Sequence, residues 1–118
     1  MSDVTVLHNP KCSTSRAAIE TVDAAGVQAE VVQYLKEPLD EAALRELIGK
    51  LEDEPTDLVR RDSFVKDQGL TDDDVATVDQ VVAVLVEHPR LMQRPVIVKG
   101  ERAIIGRPKD RVAPFVGE

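Results

Sequence analysis

The chain of 118 residues is long enough for one hydrophobic core and too short for two, so we expect a single domain over residues 1–118. With 22 acidic and 15 basic residues the net charge is -7, and only 3% of the residues are aromatic, which argues against nucleic acid or an anionic membrane as a partner. No stretch is apolar for the length of a membrane span and no signal peptide pattern opens the chain, so we expect a cytoplasmic protein, and we expect it to be a monomer.

The first third of the chain predicts a strand, a helix and a second strand. Residues 4–8 alternate as a strand does and end at the turn signal Asn9-Pro10. Apolar residues at helical spacing then extend from Ala17 to Ala25 and stop at Gly26, which predicts a helix. Residues 30–35 predict the second strand. Because one helix joins the two strands so closely, we expect parallel strands with a right-handed crossover.

A helical insertion is predicted next. Residues 40–51 begin with Asp40 as an N-cap and keep their apolar side chains on one face. Residues 54–74 are polar with short apolar clusters, which predicts short helical turns. Residues 74–87 are rich in β-branched side chains, yet their length, their aspartate start and the His88-Pro89 stop favour a helix over a strand.

The last quarter predicts a hairpin and a closing helix. Strands at residues 94–98 and 102–105 flank a turn at residues 99–101, and a helix at residues 108–116 follows with Pro108 near its first turn. The complete order is βαβ, helices, ββα. This order is that of a thioredoxin-like α/β fold with three layers, a helical insertion and a mixed four-stranded sheet.

The only cysteine, Cys12, lies in the turn between the first strand and the first helix, in the segment HNPKCSTSR. A lone cysteine forms no internal disulfide, so it is either a small buried side chain or a reactive thiol, and its polar neighbours favour the second. A helix N-terminus supplies at most ~2 kcal/mol of the roughly 2.7 kcal/mol that lowers a thiol pKa by two units. We therefore expect turn N–H groups, hydroxyls and a cation such as His8 to stabilise the thiolate. The loop residues expected to support Cys12 are Asn9, Ser13, Thr14 and Ser15.

Cys12 and the three residues after it have the C-x-x-S form of a redox motif, in which Ser15 replaces the second cysteine. Such a thiol can form a mixed disulfide, but the chain has no second thiol that could resolve it. The sequence therefore predicts an external thiol as co-substrate.

Three later arginines are candidates for binding an anion. Arg94 and Arg107 each precede a proline at the end of a predicted element, and Arg60 lies in the segment LVRR. Guanidinium groups bind tetrahedral oxyanions through a fixed fork of donors, so the set predicts a site for a small oxyanion. Arg61 directly follows Arg60, and only one of the two can point fully at the site because successive helical residues lie about 100° apart. Lys11 is either an aid to the thiolate or a surface residue.

No other cluster of charged side chains in the sequence predicts a site. The two histidines and the cysteine match no metal-ligand spacing, so we expect neither a metal site nor a bound cofactor. The acidic runs at residues 40–41, 52–54 and 72–74 are interpreted as helix caps and solvated faces.

The segments HNPKCSTSR, LVRR, EHPRLMQRPVIV and IGRP follow one another across nearly the whole chain. In this combination the sequence resembles the glutaredoxin-coupled arsenate reductase family. The resemblance implies a thioredoxin-like fold with a helical insertion and a cis peptide bond before Pro95. It is closest to the short branch of the family, because Lys11 and Ser13 replace small residues of the best-studied branch and the chain ends soon after GRP.

The resemblance also implies a mechanism and partners. It implies that Cys12 attacks arsenate or a similar oxyanion, that His8 helps to keep this cysteine ionised, and that the oxyanion is bound by Arg60, Arg94 and Arg107. Glutathione or another low-molecular-weight thiol, such as mycothiol, then attacks the arsenic adduct. Glutaredoxin or an equivalent redoxin reduces the resulting mixed disulfide as arsenite is released.

Two other functions are open at this point. One is a thiol oxidoreductase that acts on protein mixed disulfides, in which the arginines hold the carboxylates of a low-molecular-weight thiol. The other is a regulatory protein like the Spx-type transcription regulators, which share the fold and bind RNA polymerase. Those regulators commonly carry C-x-x-C where this chain has C-x-x-S at Cys12 and Ser15, which favours the enzyme.

Overall fold

The computed structural model describes residues 4–61, 66–107 and 109–117. None of the helices in these ranges has the length and apolar character needed to cross a membrane. The helices and strands, in chain order, are β1 (Val4–His8), α1 (Ser13–Ala24), β2 (Ala29–Gln33), α2 (Glu41–Lys50), α3 (Val78–Glu87), β3 (Val96–Lys99), β4 (Arg102–Ile105) and α4 (Val112–Val116). Short 3-10 turns precede several of them, at Pro55–Leu58, Asp72–Val75, Pro89–Leu91 and Lys109–Arg111.

The sheet has four strands in the order β2-β1-β3-β4. β1 pairs with β2 in parallel and with β3 antiparallel, and β3 and β4 form an antiparallel hairpin. The mixed four-stranded sheet that the sequence predicts is therefore confirmed. Because β1 lies in the centre and is parallel to β2, the loop after His8 and the residue after Gln33 meet at one edge of the sheet.

The two faces of the sheet carry separate hydrophobic clusters. Val6 belongs to a cluster with residues of α1 and α4, whereas Leu7 belongs to a larger cluster with residues of α2 and α3. Side chains alternate between faces along a strand, so His8 points to the same side as Val6. The sheet therefore lies between two layers of helices. The C-terminal end of β1 leads through a short loop to the N-terminal end of α1.

Several predicted boundaries differ from the structure. β2 covers Ala29–Gln33 rather than residues 30–35, and Tyr34 is buried just beyond its end. α3 begins at Val78 rather than at residue 74, because Thr77 forms a capping box with Gln80: the Thr77 Oγ1 accepts from the Gln80 N–H at 3.2 Å and the Gln80 Oε1 accepts from the Thr77 N–H at 3.1 Å.

The hairpin and the closing segment also differ in detail. β3 covers Val96–Lys99 rather than residues 94–98, and the Arg94-Pro95 peptide bond before it is cis, as the resemblance implies. The closing helix is shorter than predicted, since a 3-10 turn at Lys109–Arg111 precedes the five residues of α4. Pro108, which was expected near the first turn of that helix, lies outside the described residues.

Candidate active site

The loop between β1 and α1 holds the cysteine at the N-terminal end of the helix. Asn9 organises this loop, because its Oδ1 accepts from the Lys11 N–H and its carbonyl oxygen accepts from the Cys12 N–H, both at 3.0 Å. The Cys12 carbonyl in turn accepts from the Arg16 N–H at 3.0 Å, which starts α1. Cys12 is thus the N-cap residue of the helix, and its free thiol is largely buried.

His8 contacts the loop through a buried serine. Its Nδ1 lies 2.6 Å from the Oγ of Ser15, and the same Oγ accepts from the Asn9 N–H at 3.0 Å. Burial, and then the nearby charge of Arg16, lower the pKa of His8 below its ordinary value, so its ring is neutral at neutral pH. A neutral ring can accept the Ser15 hydroxyl proton, but it is not the cation that was expected to stabilise the thiolate.

The electrostatic environment of Cys12 nevertheless favours the thiolate. Burial alone would raise the pKa of the thiol, but the backbone N–H of Ser15, the guanidinium of Arg94 and the backbone N–H of Thr14 outweigh it, and the pKa is lowered. The sulfur makes no conventional capping hydrogen bond. Ser15 acts here through its backbone N–H, as expected of the turn donors, while its hydroxyl is engaged by His8 and Asn9.

One of the three candidate arginines, Arg107, contacts the sulfur, and a second, Arg94, lowers its pKa. The Nη2 of Arg107 lies 3.3 Å from the Cys12 Sγ, and its Nε donates to the carbonyl oxygen of Arg94 at 2.7 Å. The Nε of Arg94 is fully buried and has no hydrogen-bond partner among the described residues. A buried guanidinium nitrogen without an acceptor costs free energy unless a ligand supplies one. This side of the sulfur is therefore suited to an anion.

A tyrosine that the sequence analysis missed joins these groups. Tyr34 is 1% exposed and directly follows β2, so it lies beside the Cys12 loop at the same edge of the sheet. Its hydroxyl donates to the Met92 carbonyl at 3.5 Å. Burial raises the pKa of Tyr34 against the opposing influence of Arg94, Asn9 and Arg60. The parallel pairing of β1 and β2 was the signal that could have placed it there.

The structure distinguishes Arg60 from Arg61. The Arg60 N–H donates to the Leu91 carbonyl at 2.7 Å, which ties this segment to the chain just before Arg94, and the Arg60 charge acts on Tyr34 inside the site. Arg61 turns to the surface, where its Nε donates to Asp72 at 2.9 Å and its Nη2 to the Thr56 Oγ1 at 2.7 Å. Arg60 is therefore the member of the pair on the side of the cysteine.

The remaining candidates lie at the rim. Ser13 and Lys11 are exposed. Arg16, which was not a candidate, is also exposed, and its Nη1 donates to the Pro10 carbonyl at 2.9 Å. Over the described ranges, no group of three or more His, Cys, Asp or Glu residues is placed to hold a metal ion.

Together the fold and the site define a class of protein: a thioredoxin-like domain whose single thiol, at the N-terminal end of α1, faces a cis-proline segment and two arginines. The sequence model of the ArsC family matches residues 7–115. The chain therefore belongs to the ArsC family.

Individual relatives cover the chain almost completely. The uncharacterized protein YfgD of Escherichia coli K12 is 36% identical over 116 residues, which are 97% of each chain. An arsenate reductase of Neisseria meningitidis serogroup A is 32% identical over 114 residues, 95% of this chain and 97% of the relative. The solved structure of an arsenate reductase from Vibrio cholerae superposes with a TM-score of 0.85 at 30% identity, covering 96% of this chain and 97% of the other.

Proposed function

We propose that this protein is a thiol-dependent arsenate reductase in which Cys12 is the nucleophile. One observation carries the proposal: a thiol whose pKa is lowered lies 3.3 Å from the Arg107 guanidinium and beside Arg94, whose buried Nε finds no acceptor in the part of the chain that the structure describes. A tetrahedral oxyanion brings oxygen acceptors for both guanidinium groups and a central atom for the sulfur. Relatives that bear the name arsenate reductase support the choice of arsenate.

The first step forms a covalent adduct. The Cys12 thiolate attacks arsenic, a sulfur–arsenic bond forms, and one arsenic–oxygen bond breaks as the oxygen takes up protons and leaves as water. Arg94 and Arg107 balance the charge of the oxyanion in this step, since charged donors stabilise negative oxygens best where water is excluded. Arg60 is proposed as the third guanidinium of the site, and neutral His8 orients the loop through Ser15.

The second step needs the external thiol that the lone cysteine predicts. The thiolate of glutathione, or of another low-molecular-weight thiol, attacks the Cys12 sulfur, so that a disulfide forms while the sulfur–arsenic bond breaks and its electron pair stays on arsenic. Arsenic is thereby reduced and leaves as arsenite. A redoxin thiolate then attacks the outer sulfur of the mixed disulfide, and Cys12 departs as a stabilised thiolate.

The test is arsenate-dependent oxidation of NADPH in the presence of glutathione, glutaredoxin and glutathione reductase. We expect a rate that saturates with arsenate, and no rate when sulfate replaces arsenate. The assay is repeated with mycothiol and its own redoxin to identify the thiol. If neither thiol supports a rate above background, arsenate reduction is excluded, and glutathionylated or mycothiolated protein becomes the substrate to assay.

The two adjacent arginines provide a matched pair of variants. Arg60→Ala is expected to raise the KM for arsenate and to lower kcat/KM about tenfold to a hundredfold, the effect of losing a charged hydrogen bond. Arg61→Ala removes the same charge from a surface ion pair with Asp72 and is expected to change kcat/KM less than about twofold. Equal losses in both variants would show that overall charge, and not the placement of Arg60, governs arsenate binding.

A further inference from the structure

Asp53 and Arg111 form an ion pair beside the backbone of Arg107. The Nη1 of Arg111 donates to the Asp53 Oδ1 at 2.8 Å and its Nη2 to the Asp53 Oδ2 at 3.3 Å. The same Nη1 also donates to the backbone carbonyl of Arg107 at 3.2 Å. The side chain of Asp53 is 17% exposed and that of Arg111 33%, so this bidentate pair is partly withdrawn from solvent. One member of the acidic run at residues 52–54 is therefore not on a solvated face.

Asp53 also holds the strand that leads to Arg107. Its Oδ2 accepts from the Ile105 N–H at 2.9 Å, and Ile105 is the last residue of β4. One carboxylate thus contacts the chain two residues before Arg107 and, through Arg111, the carbonyl of Arg107 itself. The chain after β4 is therefore held on both sides of Gly106, at Ile105 by Asp53 and at Arg107 by Arg111.

The opposite side of the same segment is fixed by close packing. The Gly106 N–H donates to the Pro95 carbonyl at 2.8 Å, and a Cβ on Gly106 would lie 2.8 Å from the Pro95 Cγ. The segment therefore lies against Pro95 on one side and against Arg111 on the other. With the backbone held by both contacts, the Arg107 side chain reaches the sulfur of Cys12 and the carbonyl of Arg94.

We propose that Asp53 and Arg111 are positioning residues, which hold the backbone of Arg107 so that its guanidinium contacts the Cys12 sulfur. Their hydrogen bonds are to each other and to the backbone of Ile105 and Arg107. Their effect on Cys12 passes through Arg107, because a charged hydrogen bond to sulfur weakens when the donor is no longer held in line and at contact distance. The inference concerns the site of the proposed function, but it is tested on the thiol without arsenate.

The test compares the rate at which iodoacetamide alkylates Cys12 in the wild type and in Asp53→Asn, as a function of pH. The asparagine keeps the size of the side chain and an oxygen for the Ile105 N–H, but it loses the charge that holds Arg111. We expect alkylation to slow about threefold to tenfold near neutral pH, because a less well held Arg107 stabilises the thiolate less. At high pH, where the thiol is ionised in both proteins, the two rates should converge.

The control and a second variant separate positioning from general stability. Glu52→Gln breaks the neighbouring ion pair, in which Arg102 Nε lies 2.6 Å from the Glu52 Oε2, and it should leave the alkylation profile unchanged. Arg111→Lys keeps a positive charge but not the fork that serves Asp53 and Arg107 together, so it should resemble Asp53→Asn.

A double-mutant cycle decides whether the effect passes through Arg107. In an Arg107→Met background, Asp53→Asn should slow alkylation by less than about twofold, because the contact that it positions is already gone. An unchanged profile in Asp53→Asn, a slowing that is the same at every pH, or the full slowing in the Arg107→Met background would each overturn the inference. If the cycle behaves as expected while no arsenate is reduced, the positioning role stands and the proposed function fails.

Discussion

Cys12→Ser is expected to abolish arsenate-dependent NADPH oxidation, with a loss of at least about a thousandfold. Serine keeps the size and the loop geometry, but its hydroxyl is not ionised at neutral pH and cannot form the mixed disulfide that the second step requires. The backbone contacts of the loop, including the Asn9 carbonyl with the N–H of residue 12, do not depend on the side chain. The variant should therefore fold as the wild type does.

Two measurements make this prediction specific. Thermal unfolding of Cys12→Ser should follow that of the wild type, which excludes loss of fold as the cause. Incubation of the wild type with arsenate and glutathione, without a redoxin, should add one glutathionyl group to Cys12, detectable by mass spectrometry, and the variant should gain none. Activity that persists in Cys12→Ser would remove the thiol from the mechanism.

Local patterns predicted most of the fold. β1 and β4 occupy the predicted residues, and the Asp40 Oδ1 caps α2 by accepting from the Ala43 N–H at 2.8 Å. These features depend on residues within a few positions of one another, so the sequence carries the signal directly. The sequence also contains the signal for the start of α3, because Thr77 and Gln80 have the spacing of a capping box. The aspartates before them gave a competing start signal, which led to the earlier predicted start at residue 74.

The candidate site depended on contacts between distant parts of the chain, and there the sequence was less informative. Asp53 contacts Arg111 across 58 positions, and nothing near either residue distinguishes this pair from surface charges. The choice between Arg60 and Arg61 likewise depended on a backbone bridge to the segment around Met92. Spacing along the chain indicated a helix face or a strand, but not which distant segment would pack against it.

The identity of the cation beside the thiolate illustrates this limit. Proximity in sequence pointed to His8, which lies four positions before Cys12. In the folded chain His8 is neutral and is directed to Ser15, whereas Arg94, more than eighty positions away, supplies the charge that lowers the pKa of Cys12. The backbone N–H groups of Thr14 and Ser15 contribute beside it. Arg94 therefore has two proposed tasks, which are to stabilise the thiolate and to bind the oxyanion.

Arg94→Ala is accordingly expected to affect the thiol and the substrate together. Loss of the Arg94 guanidinium removes a charged donor that favours the thiolate, so the pKa of Cys12 rises. Thiolate reactivity is present above the pKa and is lost as the pH falls through it, so a raised pKa moves this loss to higher pH. Alkylation of Cys12 by iodoacetamide should therefore slow near neutral pH and match the wild type at high pH, while kcat/KM for arsenate falls at least about tenfold.

Arg94→Lys separates the two tasks. A lysine keeps the positive charge but presents no planar fork, so it should restore much of the thiol reactivity while the KM for arsenate stays high. Arg61→Ala removes an equal charge from the surface and should leave both measurements near those of the wild type. If the alkylation profile of Arg94→Ala is that of the wild type, the backbone N–H groups of α1 stabilise the thiolate without Arg94. If Arg94→Lys instead binds arsenate as the wild type does, charge alone holds the oxyanion and the buried Nε has no part in binding it.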